Sequence, residues 1–344
     1  MINIIDFCII SHFDFLIASM FTFFLAIIVG LVLLIWSSDL FVDGASSIAR
    51  NIGVSPLVVG MLIIGFGTSA PEMLVSATAA FQGNPALGIG NALGSNITNI
   101  TLVLGLTAIF YVLPVHSQLL RKELPLVLAA AFLSWILLYD GFFSRIDAII
   151  LLVALTFILT WMIISVKRET KVNDPLIDNT IEELPDKLPL KKSVIWTVVG
   201  LAFLLLSSKM LVWGASSVAT QLGVSDLIIG LTIVAIGTSL PELAATISSA
   251  RKGETDLAVG NIVGSNLFNT LAVLAIPGMI QPLKVPEGVL SRDMPIMVGL
   301  TILLLVFSFG CFEQSKLKIN RTKGFIFVFA FIAYETLLYF QINP

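Results

Sequence analysis

The hexapeptide Gly67-Thr68-Ser69-Ala70-Pro71-Glu72 lies inside one long apolar stretch and returns as Gly237-Thr238-Ser239-Leu240-Pro241-Glu242 inside another. Each copy carries a carboxylate deep within a stretch long enough to cross a membrane. The duplication runs further, because Gly90-Asn91-Ala92-Leu93-Gly94-Ser95-Asn96-Ile97-Thr98-Asn99 is answered by Gly260-Asn261-Ile262-Val263-Gly264-Ser265-Asn266-Leu267-Phe268-Asn269. From Val54 to Leu104 the two copies align without a gap at roughly two identities in five, and internal repetition of this kind constrains the fold before any other feature.

With 57% hydrophobic and 12% charged residues and a mean hydropathy of +1.00, the chain has too little polar surface for a water-soluble globule. Apolar stretches of about 20 residues recur, and a hydrocarbon core of about 30 Å forces each to be helical. The pattern predicts an all-α integral membrane protein with ten transmembrane helices. They fall near 19–42, 55–81, 86–113, 123–140, 146–166, 193–219, 225–250, 256–281, 294–312 and 323–341. The apolar residues before the first span carry Asp6 and Asp14 but no Lys or Arg, unlike the basic start of a signal peptide, and are expected to be a short retained segment.

Residues 167–192 break the apolar pattern with charges of both signs and Pro175, Pro185 and Pro189. This linker divides the chain into 1–166 and 193–344. Five spans per half is an odd number, so the second copy enters the bilayer upside down relative to the first, giving two inverted-topology repeats. With these spans nearly all Lys and Arg, from Arg50 and Arg121 to Lys323, fall on one side, and only Arg145, Lys284 and Arg292 on the other. The bias puts the linker in the cytoplasm and both termini outside.

Glu72 and Glu242 lie far from any span end, where an ionisable group is expensive unless it is paired, neutral or facing a cavity, so a functional role is the default expectation. Pro71 and Pro241 break the helix beside them, freeing the Gly67 and Gly237 carbonyls and loosening those of Thr68 and Thr238. Broken backbone at that depth belongs at a cavity. Thr68 is four residues from Glu72 and Ser95 four from Asn99, and the same holds for Thr238 with Glu242 and Ser265 with Asn269, so each pair shares a helical face. Carboxylate, hydroxyl, amide and carbonyl oxygens, without His, Cys or Met, form a set for hard cations: two carboxylates neutralise one Ca²⁺ among the roughly 6–8 oxygens it prefers. Zinc and copper favour other donors.

Gly90, Gly94, Gly260 and Gly264 fit close helix packing, whereas Asn99 and Asn269 fit ion coordination better. Asp39, Asp43 and Lys209 are expected at interfaces or in structural bridges. His12 and His116 read as loop or interfacial residues, and Cys8 and Cys311 as free thiols. Glu335 receives no role. The chain has no His-Glu-x-x-His or other nucleophile motif and reads as a transporter rather than an enzyme.

The two Gly-Thr-Ser-x-Pro-Glu and Gly-Asn-x-x-Gly-Ser-Asn tracts resemble the α-repeats of the cation/calcium exchanger superfamily, over about 37–113 and 207–283, and most of all its prokaryotic sodium/calcium branch. The resemblance implies an Na⁺/Ca²⁺ antiporter of a prokaryotic inner membrane that works by alternating access at a shared midplane site. By motif, Glu72 and Glu242 would bind Ca²⁺ with the Thr68 and Thr238 carbonyls. Ser69, Ser239, Ser95 and Ser265 with the carbonyls of Gly65 and Ala235 would serve Na⁺, and Asn99 and Asn269 would flank the centre. Potassium-dependent relatives carry Asp where this chain has Asn269, which argues against K⁺ dependence. Proton/calcium exchangers usually place an acid soon after Gly-Asn, and Ala92 to Asn96 has none, so an H⁺-coupled Ca²⁺ antiporter ranks second. A cation channel is the alternative from a different class. The expected partners are Ca²⁺, Na⁺ and membrane lipid, with no cofactor, no nucleic acid and no obligate protein partner.

Overall fold

The computed structural model describes residues 4–115, 123–169, 188–223, 235–308 and 318–342. His116, Cys311, most of the expected linker and the side chains of Cys8 and His12 lie outside the described residues. Among those described, eight helices are long and apolar enough to cross a membrane, and Leu124–Leu138 is a shorter apolar helix. The expected seventh span, 225–250, is described only from Ala235 onward, so the count of ten reaches beyond what is described.

Helix α1 runs from Ile4 to Ile52 and contains 49 residues, far more than the span expected at 19–42. It continues because Asp39 and Asp43 do not stop a helix; they carry its end out of the apolar layer into a set of ion pairs. Its neighbours in sequence are α2 (Pro56–Val59), α3 (Gly65–Thr68), α4 (Ala70–Phe81), α5 (Pro85–Thr98), α6 (Leu104–Phe110), α7 (Leu124–Leu138) and α8 (Arg145–Glu169). In the second half follow α9 (Leu190–Gln221), α10 (Ala235–Thr238), α11 (Leu240–Arg251), α12 (Thr255–Phe268), α13 (Ala275–Ile280), α14 (Met294–Ser308) and α15 (Arg321–Ile342).

Glycines set two close helix contacts. Along α1 and α9, Gly214 faces Phe23, Gly30 faces Leu211, Phe41 faces Gly200 and Gly44 faces Thr197, so the two helices run antiparallel. A Cβ on Gly44 would come within 2.5 Å of the Thr197 nitrogen, and one on Gly200 within 2.5 Å of the Phe41 nitrogen. The second contact joins the halves near the duplicated tracts. There Gly60 meets Leu257 and Gly260, Gly65 meets Gly264 and Ser265, and Gly264 meets the Met61 backbone, so α12 packs in parallel on the α2–α3 segment. Small residues allow backbones to approach where lipid supplies no hydrophobic drive between helices.

The far end of α1 is tied to the turn between α11 and α12, where Gly253 takes a positive φ of 79°. Arg50 Nη2 pairs with Glu254 Oε1 at 2.6 Å, Ser46 Oγ donates to the same oxygen at 2.7 Å, and Lys252 Nζ pairs with Asp43 at 2.6 Å. Asp39 binds Arg251 and accepts from the Ser248 hydroxyl. Asp39 and Asp43 are therefore bridging residues.

Four two-residue strands close the ends of the bundle. Strand β1 (Leu113–Pro114) pairs antiparallel with β4 (Lys318–Ile319), and β2 (Phe142–Phe143) with β3 (Leu283–Lys284). Each ribbon takes one strand from each half, and β1 and β3 occupy equivalent places in the repeat. Gly264→Val puts side-chain atoms into the Met61 backbone, which cannot move aside as a flexible side chain could. It is expected to cost about 2 kcal/mol or more and to lower the melting temperature of the detergent-purified protein; an unchanged melting temperature would contradict this packing.

Candidate functional site

Both duplicated hexapeptides break their helices at the serine. Ser69 has φ −80° and ψ 1°, Ser239 has φ −89° and ψ 4°, and a new helix starts at the next residue. Pro71 and Pro241 thus occupy the first turn of α4 and α11, where a missing N–H is not needed. The break follows from the sequence as expected, and it sets Glu72 and Glu242 in the first turn of a helix, where exposed N–H dipoles favour negative charge. The Gly237 carbonyl, released by Pro241, accepts the Ser208 hydroxyl of α9 at 2.9 Å.

Wide turns with i to i+5 bonding occur at matching places in the two copies. Asn99 opens one over Asn99–Val103 and Asn269 another over Asn269–Val273; a third covers Gly60–Ile64. Such turns shift the facing of every residue beyond them and are frequent at functional sites. Nothing in the hydrophobic pattern announces them.

The two glutamates are fully buried, and their charges lie within reach of one another across the halves. Ser69 Oγ donates to Glu242 Oε1 at 3.5 Å. Glu242 Oε2 and both carboxylate oxygens of Glu72 have no hydrogen-bond partner among the described residues. Around them the hydroxyls cross between halves: Thr68 Oγ1 lies 3.2 Å from Ser265 Oγ, which lies 3.3 Å from the Gly65 carbonyl oxygen. Asn99 Nδ2 donates to Asn266 Oδ1 at 3.1 Å, while Asn99 Oδ1 and the whole Asn269 amide are buried without a partner among the described residues. Ser239 is buried with its hydroxyl likewise unpartnered.

Thr68, Ser69, Gly65, Ser265 and Glu242 are thereby brought into one hydrogen-bonded cluster. Ser95 is buried on α5, and Ala235 is the first described residue of α10. Among the described residues no three His, Cys, Asp or Glu side chains come together, so any cation held here relies on amide, hydroxyl and backbone oxygens beside the two carboxylates. That is the ligand set of a hard ion.

Sequence reasoning passed over Asn91 and Asn261. Asn91 Nδ2 donates to the Glu72 carbonyl and to Ser76 Oγ, both at 3.0 Å. Asn261 Nδ2 does the same for the Glu242 carbonyl at 3.2 Å and Thr246 Oγ1 at 2.8 Å. The signal was present: each Asn stands in the repeated Gly-Asn pair, and Ser76 and Thr246 are likewise equivalent in the two copies. A third network, Asn96 Nδ2 to Thr270 Oγ1 at 2.8 Å, has no counterpart because Ile100 stands at the matching position in the first copy.

The model of the sodium/calcium exchanger protein family matches residues 22–164 and 192–340. The chain belongs to that family. It is 47% identical over 314 residues to a protein of Alkalimonas amylolytica that bears the name "Putative antiporter CaxA", covering 91% of this chain and 97% of that one. It is also 39% identical to the inner membrane protein YrbG of Escherichia coli, over 91% of this chain and 95% of YrbG. The solved structure of the sodium-calcium exchanger NCX_Mj, from crystals soaked with Na⁺ and Sr²⁺, superposes with a TM-score of 0.77 at 32% identity, covering 91% of this chain and 97% of that one. This exchanger-family antiporter therefore shares both sequence and helical fold with a solved exchanger.

If the buried carboxylates hold a divalent ion, Ca²⁺ should raise the melting temperature of the purified protein by several degrees at saturation, since a ligand at about 100 times its Kd stabilises by about 2.7 kcal/mol. Glu72→Gln should abolish that increase; a full Ca²⁺ response in this variant would place the ion elsewhere.

Proposed function

We propose that this protein exchanges Na⁺ for Ca²⁺ by alternating access at one shared site. The observation that carries the reading is Glu72, a fully buried carboxylate with no hydrogen-bond partner among the described residues, beside a second buried carboxylate. Leaving two such charges uncompensated in a dry interior is costly, and a cation between them removes the cost. Ca²⁺ neutralises the pair, and Na⁺ ions do so in its place. An unloaded carboxylate pair resists crossing, which makes the protein an exchanger rather than a leak.

In this reading Glu72 and Glu242 bind Ca²⁺ with the carbonyls of Thr68 and Thr238. Ser69, Ser239, Ser95 and Ser265, with the carbonyls of Gly65 and Ala235, serve Na⁺, and Asn99 and Asn269 flank the centre. No cofactor takes part and no bond is made or broken in a substrate, so the protein is a transporter and not an enzyme.

The reading also takes the halves 1–166 and 193–344 as inverted repeats of five spans each, joined by a cytoplasmic linker at 167–192, with both termini outside a prokaryotic inner membrane. Supporting it are the antiparallel course of α1 and α9, the two ribbons that each draw one strand from either half, the one-sided Lys and Arg, and the likeness to a protein named for the inner membrane.

Proteoliposomes loaded with Na⁺ are expected to take up ⁴⁵Ca²⁺ from the medium, with no uptake when only a K⁺ gradient is imposed. Glu72→Gln and Glu242→Gln should each remove the uptake. Uptake driven by an outward proton gradient without Na⁺ would replace the reading with H⁺ coupling, and Ca²⁺ current without any counter-ion would make the protein a channel.

A further inference from the structure

Asn261 is fully buried at the meeting point of the two halves, and its amide can be oriented in only one way. One end faces the Glu242 carbonyl oxygen at 3.2 Å, and a carbonyl only accepts, so that end must be the NH₂ group. Thr246 Oγ1, at 2.8 Å, anchors the same nitrogen. The other end is then necessarily the oxygen, and it faces two hydroxyls of the cluster: Thr68 Oγ1 at 3.1 Å and Ser265 Oγ at 3.5 Å. Asn261 Oδ1 therefore presents a fixed acceptor to hydroxyls from both repeats.

A hydroxyl ligates a cation through its lone pairs, so its proton must be placed elsewhere. Asn261 Oδ1 and Ser265 Oγ are both acceptors within reach of Thr68, and Ser265 can in turn donate to the Gly65 carbonyl at 3.3 Å. Without the Asn261 oxygen the three groups close into a chain in which Thr68 donates to Ser265 and Ser265 to Gly65. That chain spends lone pairs of the Ser265 hydroxyl and of the Gly65 carbonyl on protons.

We propose that Asn261 is a positioning residue for the Na⁺ step: its anchored side-chain oxygen takes the hydroxyl protons of this cluster and so keeps the Ser265 hydroxyl and the Gly65 carbonyl available to Na⁺. The inference rests on the reading above that Ser265 and Gly65 serve Na⁺. Ca²⁺, held by carboxylates and by the Thr68 and Thr238 carbonyls, depends far less on where these protons point.

The test compares two fluxes in proteoliposomes: Na⁺-driven ⁴⁵Ca²⁺ uptake as a function of Na⁺, and ⁴⁵Ca²⁺/Ca²⁺ self-exchange, which needs no Na⁺ and reports a folded, Ca²⁺-competent site. Asn261→Ala is expected to raise the Na⁺ concentration for half-maximal uptake by about tenfold, the factor that accompanies loss of one hydrogen bond, with the Ca²⁺ requirement of self-exchange changed by less than about twofold. In a Ser265→Ala background, where the hydroxyl to be oriented is gone, the same substitution should add less than about twofold. Thr246→Val, which removes only one of the two anchors of the amide, is the milder variant if Asn261→Ala does not fold, and should raise the Na⁺ requirement by about two- to threefold. Equal shifts with and without Ser265, a Ca²⁺ requirement that rises in step with that for Na⁺, or no shift in either variant overturns the inference. Absence of Na⁺-driven uptake in the unaltered protein would instead overturn the exchange reading on which it stands.

Discussion

Two carboxylates buried within reach of one another in the middle of a membrane protein are the constraint on which the rest of this structure depends. Their mutual repulsion and lost hydration work against the fold. The helix breaks at Ser69 and Ser239 soften that cost by giving each glutamate a place in the first turn of a new helix, next to unspent N–H dipoles. The second layer of amides, Asn91 and Asn261, holds the carbonyls of the same two residues from behind. Polar groups in this interior are thus arranged by rank: charges at the centre, hydroxyls and amides around them, and glycine contacts between backbones outside.

The glycines set how closely those layers assemble. Gly60, Gly65, Gly260 and Gly264 bring α12 of the second half onto the α2–α3 segment of the first, so that Thr68 reaches both Ser265 and Asn261 through side chains alone. A side chain at any of these four positions would separate hydroxyls that now lie little more than 3 Å apart. The packing role expected for Gly260 and Gly264 and the chemical role of their neighbours are therefore one requirement, whereas a Cβ on Gly90 or Gly94, expected to pack in the same way, would meet nothing within 4 Å among the described residues.

Much of this was legible because the chain repeats itself. A single Glu in an apolar stretch is ambiguous, but Glu72 and Glu242 in identical frames, each after a proline, pointed to one cluster and to the break beside it. What stayed hidden depends on neighbours distant in sequence. The carboxyl end of α1 was misjudged because Asp39 and Asp43 look like the end of a span until Arg251 and Lys252 are known to meet them. The wide turns at Asn99 and Asn269 leave no mark in hydropathy, and two-residue strands are too short for any periodicity. Asn91 and Asn261 were visible as repeated letters, yet their task shows only when the Glu72 and Glu242 carbonyls are seen to face them.

The antiparallel contact of α1 and α9 carries a consequence of its own. Joined at Gly30, Gly44, Gly200 and Gly214, these two helices meet with no space for a side chain between them at those points. Because the two point in opposite directions, a shift of both together along their axes moves one toward its own carboxyl end and the other toward its amino end. In the exchange proposed above, one such shift of a shared part would serve both faces of the membrane, with no pair of separately timed gates.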